Sequence, residues 1–222
     1  SQRCDPTQGL TFSEIVMTLF ILVRHGQTRW NREERFRGRA DLLLNETGLR
    51  QAFAAALHVK GWPIAAIYSS PLKRALETAK IIANQLGLPV KPLDGLIDID
   101  FGSWQGLSAK EAAKQDSELY NMWLEFPHQV RFPRGESLAD VRQRVLAAVD
   151  GIAAEHGEQT VILVSHMVVC KVLLCAMLGL DDSNFWQVRQ DVCAVNTFEV
   201  RDGVPTVTLV NDTCHLKSPA TG

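Results

Sequence analysis

The chain has 222 residues, 46% of them hydrophobic, and carries a formal net charge of −2 with a sequence pI near 6.3. This composition is typical of a globular protein with a substantial core. The near-neutral charge excludes the overall basic excess that is typical of proteins binding nucleic acid or acidic membrane surfaces. No apolar run approaches the roughly 18 residues of a membrane span, and the chain start lacks the pattern of a secretion signal.

One domain is predicted over residues 17–222. Residues 1–16 are poorly patterned, and Met17 directly precedes the first predicted strand, so we expect residues 1–16 to be an extension or leader. The five cysteines are odd in number and show no Cys-x-x-Cys pairing of the kind that binds metal. Cysteines of this kind indicate free thiols in a reducing compartment, and a cytoplasmic location is predicted.

The first predicted strand covers residues 19–23, a run of large apolar residues that ends in Arg24, His25 and Gly26. A short run of this kind is typical of a buried parallel strand, and ligands of open α/β sheets bind beyond the carboxyl ends of such strands. The ending therefore places a fixed positive charge and an imidazole where an anion would bind. Residues 28–44 follow as a long loop, rich in arginine and without a sustained period.

After this loop, helical and strand patterns alternate along the chain. In order, they predict a helix over 45–61, a strand over 64–68, a helix over 70–87 capped by Ser70, a strand over 90–93, helices over 108–126 and 137–155, a strand over 160–164, a helix over 168–178, and a hairpin of strands over 192–200 and 204–210. This alternation predicts a three-layer α/β fold with a mostly parallel central sheet and helices on both faces. Residues 103–135 are expected to cover the carboxyl edge of the sheet as helix and loop. The aromatic residues expected to pack this cover are Trp104, Trp123, Phe126 and Phe132.

Two features near this edge have alternative explanations. Arg74 lies in the first turn of the helix over 70–87, where its charge opposes the positive end of the helix dipole. An exposed pair with Glu77 is the structural explanation, and an anion held by Arg74 with the free amides of that turn is the functional one. Farther along, Asp98 and Asp100 alternate around an isoleucine, so an extended backbone would place both carboxylates on one face.

Two histidines, His25 and His166, each directly follow an apolar strand. With the motifs around them, the chain resembles the histidine phosphatase family, whose cofactor-dependent phosphoglycerate mutase branch shares the Arg-His-Gly signature. The resemblance runs from residue 19 to about residue 200. It is carried by ordered blocks at residues 22–31, 35–38, 44–48, 69–79, 99–106, 135–137 and 164–166.

The resemblance implies a role for each matching residue. His25 would be the nucleophile that takes the phosphoryl group as phosphohistidine, and Asp98 would be the general acid and base, with Asp100 in reserve. Asp98 departs from the glutamate that is usual in the family. The remaining implied site residues are Arg24, Arg74 and His166 in the phosphate pocket, and Gln27, Thr28, Asn31, Arg37 and Met167 as substrate contacts. Met167 and Arg37 also depart from the smaller residues that are common in relatives.

Phosphoryl transfer requires these residue types. The transferring group spreads negative charge over three oxygens, and arginine forks bind such oxygens without losing their own charge. Histidine attacks only as neutral imidazole, a form that neighbouring arginines favour. A carboxylic acid protonates the departing alkoxide and then, as carboxylate, activates water. No metal or cofactor is expected, because the arginines and the second histidine supply the positive charge.

The sequence therefore predicts a phosphatase, a phosphoric monoester hydrolase that acts on small phosphorylated metabolites. A phosphoglycerate mutase, a non-catalytic module that binds phosphorylated ligands, and a metal hydrolase using His25, His166 and the aspartates are the alternatives. The expected partner is a small phosphorylated metabolite. No binding to nucleic acid or to a membrane is expected. A homodimer is left open, since dimers are frequent in the family. Members of the family act on sugar phosphates, phosphoglycerates, α-ribazole phosphate and phosphoserine, and the sequence does not rank these candidate substrates.

Overall fold

The computed structural model describes residues 17–217, which build a six-stranded sheet of order β3-β2-β4-β1-β5-β6. The strands are β1 (Met17–Arg24), β2 (Ile64–Ser69), β3 (Val90–Pro92), β4 (Thr160–Ser165), β5 (Val195–Arg201) and β6 (Val204–Asp212). The first four strands pair in parallel, and β5 and β6 add an antiparallel edge next to β1. This arrangement confirms the predicted α/β fold. The predicted leader, residues 1–16, lies outside the described residues.

Helices cover both faces of the sheet. They are α1 (Arg29–Arg32), α2 (Glu46–Val59), α3 (Lys73–Leu86), α4 (Ala109–Gln115), α5 (Ser117–Glu125), α6 (Leu138–Glu155) and α7 (Met167–Met177). Because side chains alternate along a strand, β1 serves both layers. Phe20 and Leu22 pack with α6 and α7, whereas Ile21 and Val23 pack with α2 and α3. Within the described residues, every helix is too short or too polar to cross a bilayer.

Three local predictions were wrong. The helix predicted over 108–126 is two helices, because Asp116 has extended backbone and its side chain caps α5 by accepting from the amide of Leu119 at 3.0 Å. The predicted loop over 28–44 contains the one-turn helix α1. Ser70 does not cap α3, which begins at Lys73 after Leu72. The amide of Ser70 instead continues the sheet, donating to the carbonyl of Val164 at 3.0 Å.

An aromatic cluster packs the predicted cover, residues 103–135, and most of its members were predicted. Trp104, Trp123 and Phe132 are buried, and Trp104 contacts Phe36 and Phe132 edge-on with ring centroids 5.1 and 5.2 Å apart. Phe126 was wrongly predicted to pack here, since its side chain is 48% exposed. The cluster therefore anchors the cover to the sheet through Trp104 and its neighbours, without Phe126.

Replacing Trp104 with alanine is expected to lower the free energy of unfolding by about 3–5 kcal/mol, because a fully buried indole would leave a cavity. Urea unfolding followed by circular dichroism measures this loss. Trp62, which is 36% exposed, supplies the matched control. The Trp62→Ala variant is expected to change the free energy of unfolding by no more than about 0.5 kcal/mol. Equal losses in the two variants would contradict the anchoring role.

Candidate active site

Three neighbouring parallel strands bring their carboxyl ends to one point. β2, β4 and β1 lie side by side and are followed by Ser70, His166 and His25. The amide of His25 donates to the carbonyl of Ser165 at 2.9 Å, so the backbone pairing of β1 with β4 continues into the site. The two imidazole rings lie 5.2 Å apart, centroid to centroid. Sheet topology therefore joins two histidines that are far apart in the sequence.

Gly26 permits a close backbone contact directly after His25. A Cβ atom at Gly26 would lie 2.6 Å from the carbonyl oxygen of Gly48, and a Cβ at Gly48 would lie 2.1 Å from that of Gln27. Real side chains do not tolerate such distances, so the two glycines allow the loop after β1 to press against the first turn of α2. This contact fixes the backbone that carries His25.

The His25 imidazole is neutral, and its two ring nitrogens have different partners. Burial, with the charges of Arg74 and Arg24, holds its pKa well below the usual range for histidine. Its Nδ1 lies 2.7 Å from the carbonyl oxygen of Gly26, which makes Nδ1 the protonated nitrogen. Nε2 then carries the lone pair and accepts a long hydrogen bond from the Nε of Arg74 at 3.3 Å, which must open before Nε2 can bond to another atom. A lone pair held this way in the site can attack an electrophile.

Arg74 connects the imidazole of His25 to a buried carboxyl group. Its Nη2 donates to Asp98 Oδ2 at 2.9 Å and to the carbonyl oxygen of Gly38 at 2.7 Å, while Nη1 donates to that of Ala40 at 2.6 Å. The alternative pair with Glu77 does not form, because Glu77 accepts from the amide of Leu44 instead. The guanidinium is fully buried, so its position is fixed by these contacts and does not depend on solvent.

Ser70 determines the orientation of the second histidine. Its hydroxyl oxygen lies 2.7 Å from His166 Nε2 and accepts a hydrogen bond from the amide of Leu72 at 3.3 Å. Because the amide uses an acceptor lone pair, the hydroxyl can donate its own proton to Nε2. Burial and Arg74 hold the pKa of His166 well below its usual range, and the ring is neutral. The proton therefore lies on Nδ1, which is buried, has no hydrogen-bond partner among the described residues, and is 3.6 Å from Asp98 Oδ2.

Replacing Ser70 with alanine is expected to lower kcat about 10-fold with little change in KM, because His166 loses the hydrogen bond that fixes its tautomer. Steady-state phosphatase kinetics measure the effect. Ser69→Ala is the matched control, since the hydroxyl of the equally buried Ser69 donates to the carbonyl of Ser70 and does not contact His166. A Ser70→Ala variant that is no slower than Ser69→Ala would contradict this role.

Asp98, the predicted general acid, and Asp100, the reserve candidate, lie in different environments. Asp98 is buried, and burial raises the pKa of its carboxyl, although Arg74 and Arg37 oppose the shift. Its protonated form therefore persists to higher pH than in an ordinary aspartate. Asp100 instead accepts from the amide of Gly102 at 2.8 Å and lies 3.6 Å from the guanidinium of Arg39. Asp98, and not Asp100, lines the cavity beside the histidines.

Arg24 is held by the backbone of Gln190, a contact that the sequence did not reveal. Its Nη1 donates to the carbonyl oxygen of Gln190, whose side chain exchanges two hydrogen bonds with Asn196 at 2.7 and 2.9 Å. Burial lowers the pKa of Arg24 to about 10, so the guanidinium stays charged at neutral pH. The Nε atoms of Arg24 and Arg37 are buried without a hydrogen-bond partner in residues 17–217. Both arginines line the cavity, where these donors can meet an anion.

The cavity at this edge has a volume of about 310 Å³, a size suited to a small metabolite. Part of its lining is charged, and the rest includes an apolar wall formed by Phe36, Phe101, Ala109, Tyr120, Trp123, Leu124, Met167, Val168 and Trp186. Asn31 also lines the cavity, and Thr28 orients it by donating its amide and its hydroxyl to Asn31 Oδ1, both at 2.8 Å. Gln27 does not line the cavity, and its side chain accepts from Asn45 at 3.0 Å.

The charges of this cavity favour an anion over a metal cation. Arg24, Arg35 and Arg37 line it together with two carboxyl groups, those of Glu34 and Asp98. Arg74, His25 and His166 are not among its lining residues, but Arg74 adds a further, buried guanidinium by donating to Asp98 at 2.9 Å, and both imidazoles are neutral. A divalent cation would be repelled by the arginines, whereas a phosphate dianion would be attracted by them. The fold and the charges of the site are together typical of a class of protein: α/β enzymes that act on phosphorylated compounds.

The chain belongs to the histidine phosphatase superfamily, branch 1, whose family model matches residues 20–213. It is 38% identical over 200 residues to phosphoserine phosphatase 1 of Hydrogenobacter thermophilus, covering 90% of this chain and 95% of the relative. The structure resembles that of Bacillus stearothermophilus YhfR with a TM-score of 0.87 and 33% identity, covering 90% of this chain and 100% of that one.

A ligand-bound structure is also similar. A histidine-to-alanine mutant of phosphoserine phosphatase from Entamoeba histolytica, in complex with phosphoserine, matches with a TM-score of 0.82 and 29% identity. The match covers 90% of this chain and 100% of that chain. These relatives confirm the predicted family and the predicted enzyme class, phosphomonoesterase.

Proposed function

We propose that this protein hydrolyses small phosphomonoesters through a phosphohistidine on Nε2 of His25, with Asp98 as general acid and base. The observation that carries the proposal is the neutral imidazole of His25, whose Nδ1 is held by the carbonyl of Gly26 and whose Nε2 lies among buried arginines. A phosphate placed between Arg24, Arg74 and His166 would present its phosphorus to that lone pair.

The reaction proceeds in two steps. In the first, Nε2 of His25 forms a bond to phosphorus while the ester P–O bond breaks, and Asp98 gives its proton to the departing oxygen. In the second, the Asp98 carboxylate takes a proton from water as the water oxygen attacks phosphorus. The P–N bond breaks, its electron pair returns to Nε2, and inorganic phosphate leaves. Arg24 and Arg74 stabilise the charge on the transferring group in both steps.

Phosphoserine is the first substrate that we propose, because the similar proteins from Hydrogenobacter thermophilus and Entamoeba histolytica are phosphoserine phosphatases. The proposal extends to other small phosphomonoesters, since the apolar wall formed by residues such as Trp186 and Met167 lacks groups specific for one leaving group. A substrate would place its phosphate against the arginines and its organic part against this wall.

Phosphate release from phosphoserine, 3-phosphoglycerate and p-nitrophenyl phosphate, measured in excess EDTA, tests the proposal. We expect turnover of at least one of these esters, unchanged by the chelator. Turnover that EDTA abolishes would favour the metal hydrolase. Binding of phosphoserine without any release of phosphate would favour the non-catalytic module. Isomerisation of phosphoglycerate that is faster than hydrolysis, with a bisphosphoglycerate primer present, would favour the mutase.

A further inference from the structure

A second cluster of metal-ligating side chains lies outside the phosphoryl site. His58 projects from the last turn of α2, Asp212 ends β6, and Cys214 and His215 lie in the 3-10 turn that follows. One ligand atom from each of these four residues lies within 4.8 Å of the others. It is the one cluster of this kind in residues 17–217, and none of its members lines the cavity.

His215 is oriented as a metal ligand would be. Its Nε2 lies 3.1 Å from the carbonyl oxygen of Cys193, which makes Nε2 the protonated nitrogen of the neutral ring. Its Nδ1 carries the lone pair and is buried with no hydrogen-bond partner among the described residues. Histidines that bind metals almost always donate their other ring nitrogen to a carbonyl or carboxylate in this way.

The ligand atoms of His58, Asp212 and Cys214 also lie close to one another. His58 Nε2 lies 3.6 Å from Asp212 Oδ2, and Cys214 Sγ lies 3.1 Å from the same oxygen. The rings of His58 and His215 are stacked, with centroids 5.1 Å apart. Donor pairs around a tetrahedral zinc ion are about 3.3–3.8 Å apart, given metal–ligand bonds of roughly 2.0–2.3 Å. The exposed side chain of Cys214 can rotate to close the remaining distance.

We propose that His58, Asp212, Cys214 and His215 form a four-ligand site for Zn²⁺. Two imidazoles, a thiolate and a carboxylate are all established zinc ligands, and the two negative charges balance those of the ion. Four protein ligands leave no open position, so the site is structural. It ties the end of β6 and the 3-10 turn (Cys214–Leu216) to α2. These ligands show no recognisable metal-binding spacing along the chain, because His58 is remote in sequence from the other three.

Titration of untagged protein with Co²⁺, a spectroscopic probe for zinc sites, tests the proposal. We expect binding of one equivalent with a sulfur-to-cobalt charge-transfer band and the intense visible bands of tetrahedral cobalt. Cys214→Ser is expected to remove the charge-transfer band, and His58→Ala to weaken binding at least about 10-fold. His128→Ala, at an exposed histidine outside the cluster, and His25→Ala, in the phosphoryl site, are expected to bind cobalt as the wild type does.

Thermal unfolding gives an independent measurement. Added Zn²⁺ is expected to raise the unfolding midpoint of the wild type and not that of Cys214→Ser. Unchanged phosphatase activity in Cys214→Ser and His58→Ala would show that both variants are folded. A charge-transfer band that survives in Cys214→Ser, equal affinities in His58→Ala and His128→Ala, or no cobalt bound by the wild type would each overturn the proposal. None of these outcomes bears on the proposed phosphatase reaction.

Discussion

Replacing His25 with alanine is expected to lower kcat/KM for every phosphomonoester by about 10⁴–10⁶-fold. The loss is this large because His25, as we propose, bonds to phosphorus, and removing a nucleophile costs more than removing a neighbour that stabilises charge. Arg24, Arg74 and His166 remain in the variant, so phosphate binding should survive. Phosphate release and the affinity for inorganic phosphate, measured on the same preparation, separate catalysis from binding.

His128 provides the control for this replacement, because it is exposed and outside the cavity. The His128→Ala variant is expected to keep wild-type kinetics. If folded His25→Ala enzyme, verified by circular dichroism, kept more than about a hundredth of wild-type activity, His25 would be a binding group and another residue the nucleophile.

Replacing Asp98 with asparagine is expected to affect substrates unequally. For phosphoserine, whose alkoxide leaving group needs a proton, kcat/KM should fall about 10²–10⁴-fold. For p-nitrophenyl phosphate, whose leaving group departs unprotonated, the first step should be nearly unaffected. The second step still needs a base, so Asp98→Asn should release one nitrophenol per site in a burst and then turn over slowly. Stopped-flow absorbance records the burst.

The pH dependence provides a second test of Asp98. Burial raises the pKa of this carboxyl, and the acid form is the one that donates the proton. For phosphoserine, kcat/KM of the wild type is therefore expected to decrease as the pH rises through that raised pKa, because the acid form is lost. Asp98→Asn, which does not titrate, should lack this alkaline decrease.

Asp100→Asn is the matched control for both measurements, since Asp100 is the reserve candidate two residues away. Its carboxylate holds the Gly102 turn and faces Arg39, so its replacement should leave the leaving-group dependence intact. A burst and a flat pH profile in Asp100→Asn, with neither in Asp98→Asn, would transfer the acid role to Asp100.

The parts of the site that could be predicted from sequence are those with a local signal. Apolar runs that end in Arg24-His25 and in His166 mark strand ends, and the alternation of helices and strands brings parallel strand ends to one edge. The structure has both histidines there, directly after the adjacent strands β1 and β4. Local patterns were sufficient because a buried strand is itself a local pattern.

The parts that could not be predicted depend on contacts between distant segments. The backbone carbonyl of Gln190, which holds Arg24, lies in no motif. Arg74 pairs with Asp98 although Glu77 is near in sequence. Ser70 has the spacing of a helix cap, yet its hydroxyl binds His166 across the sheet. For Arg74 and Ser70, contacts between distant segments replace the partners that local spacing favoured.

The most direct measurement mixes the wild-type enzyme with phosphoserine that carries a radioactive phosphorus atom and stops the reaction rapidly without acid. It would show whether a phosphoenzyme forms. We expect label on the peptide that contains His25, stable to base and lost in acid, as a phosphoramidate bond is. It should appear before free phosphate and disappear as the substrate is exhausted. A fully active enzyme that carries no label, or that carries base-labile label on another residue, would contradict phosphoryl transfer to His25.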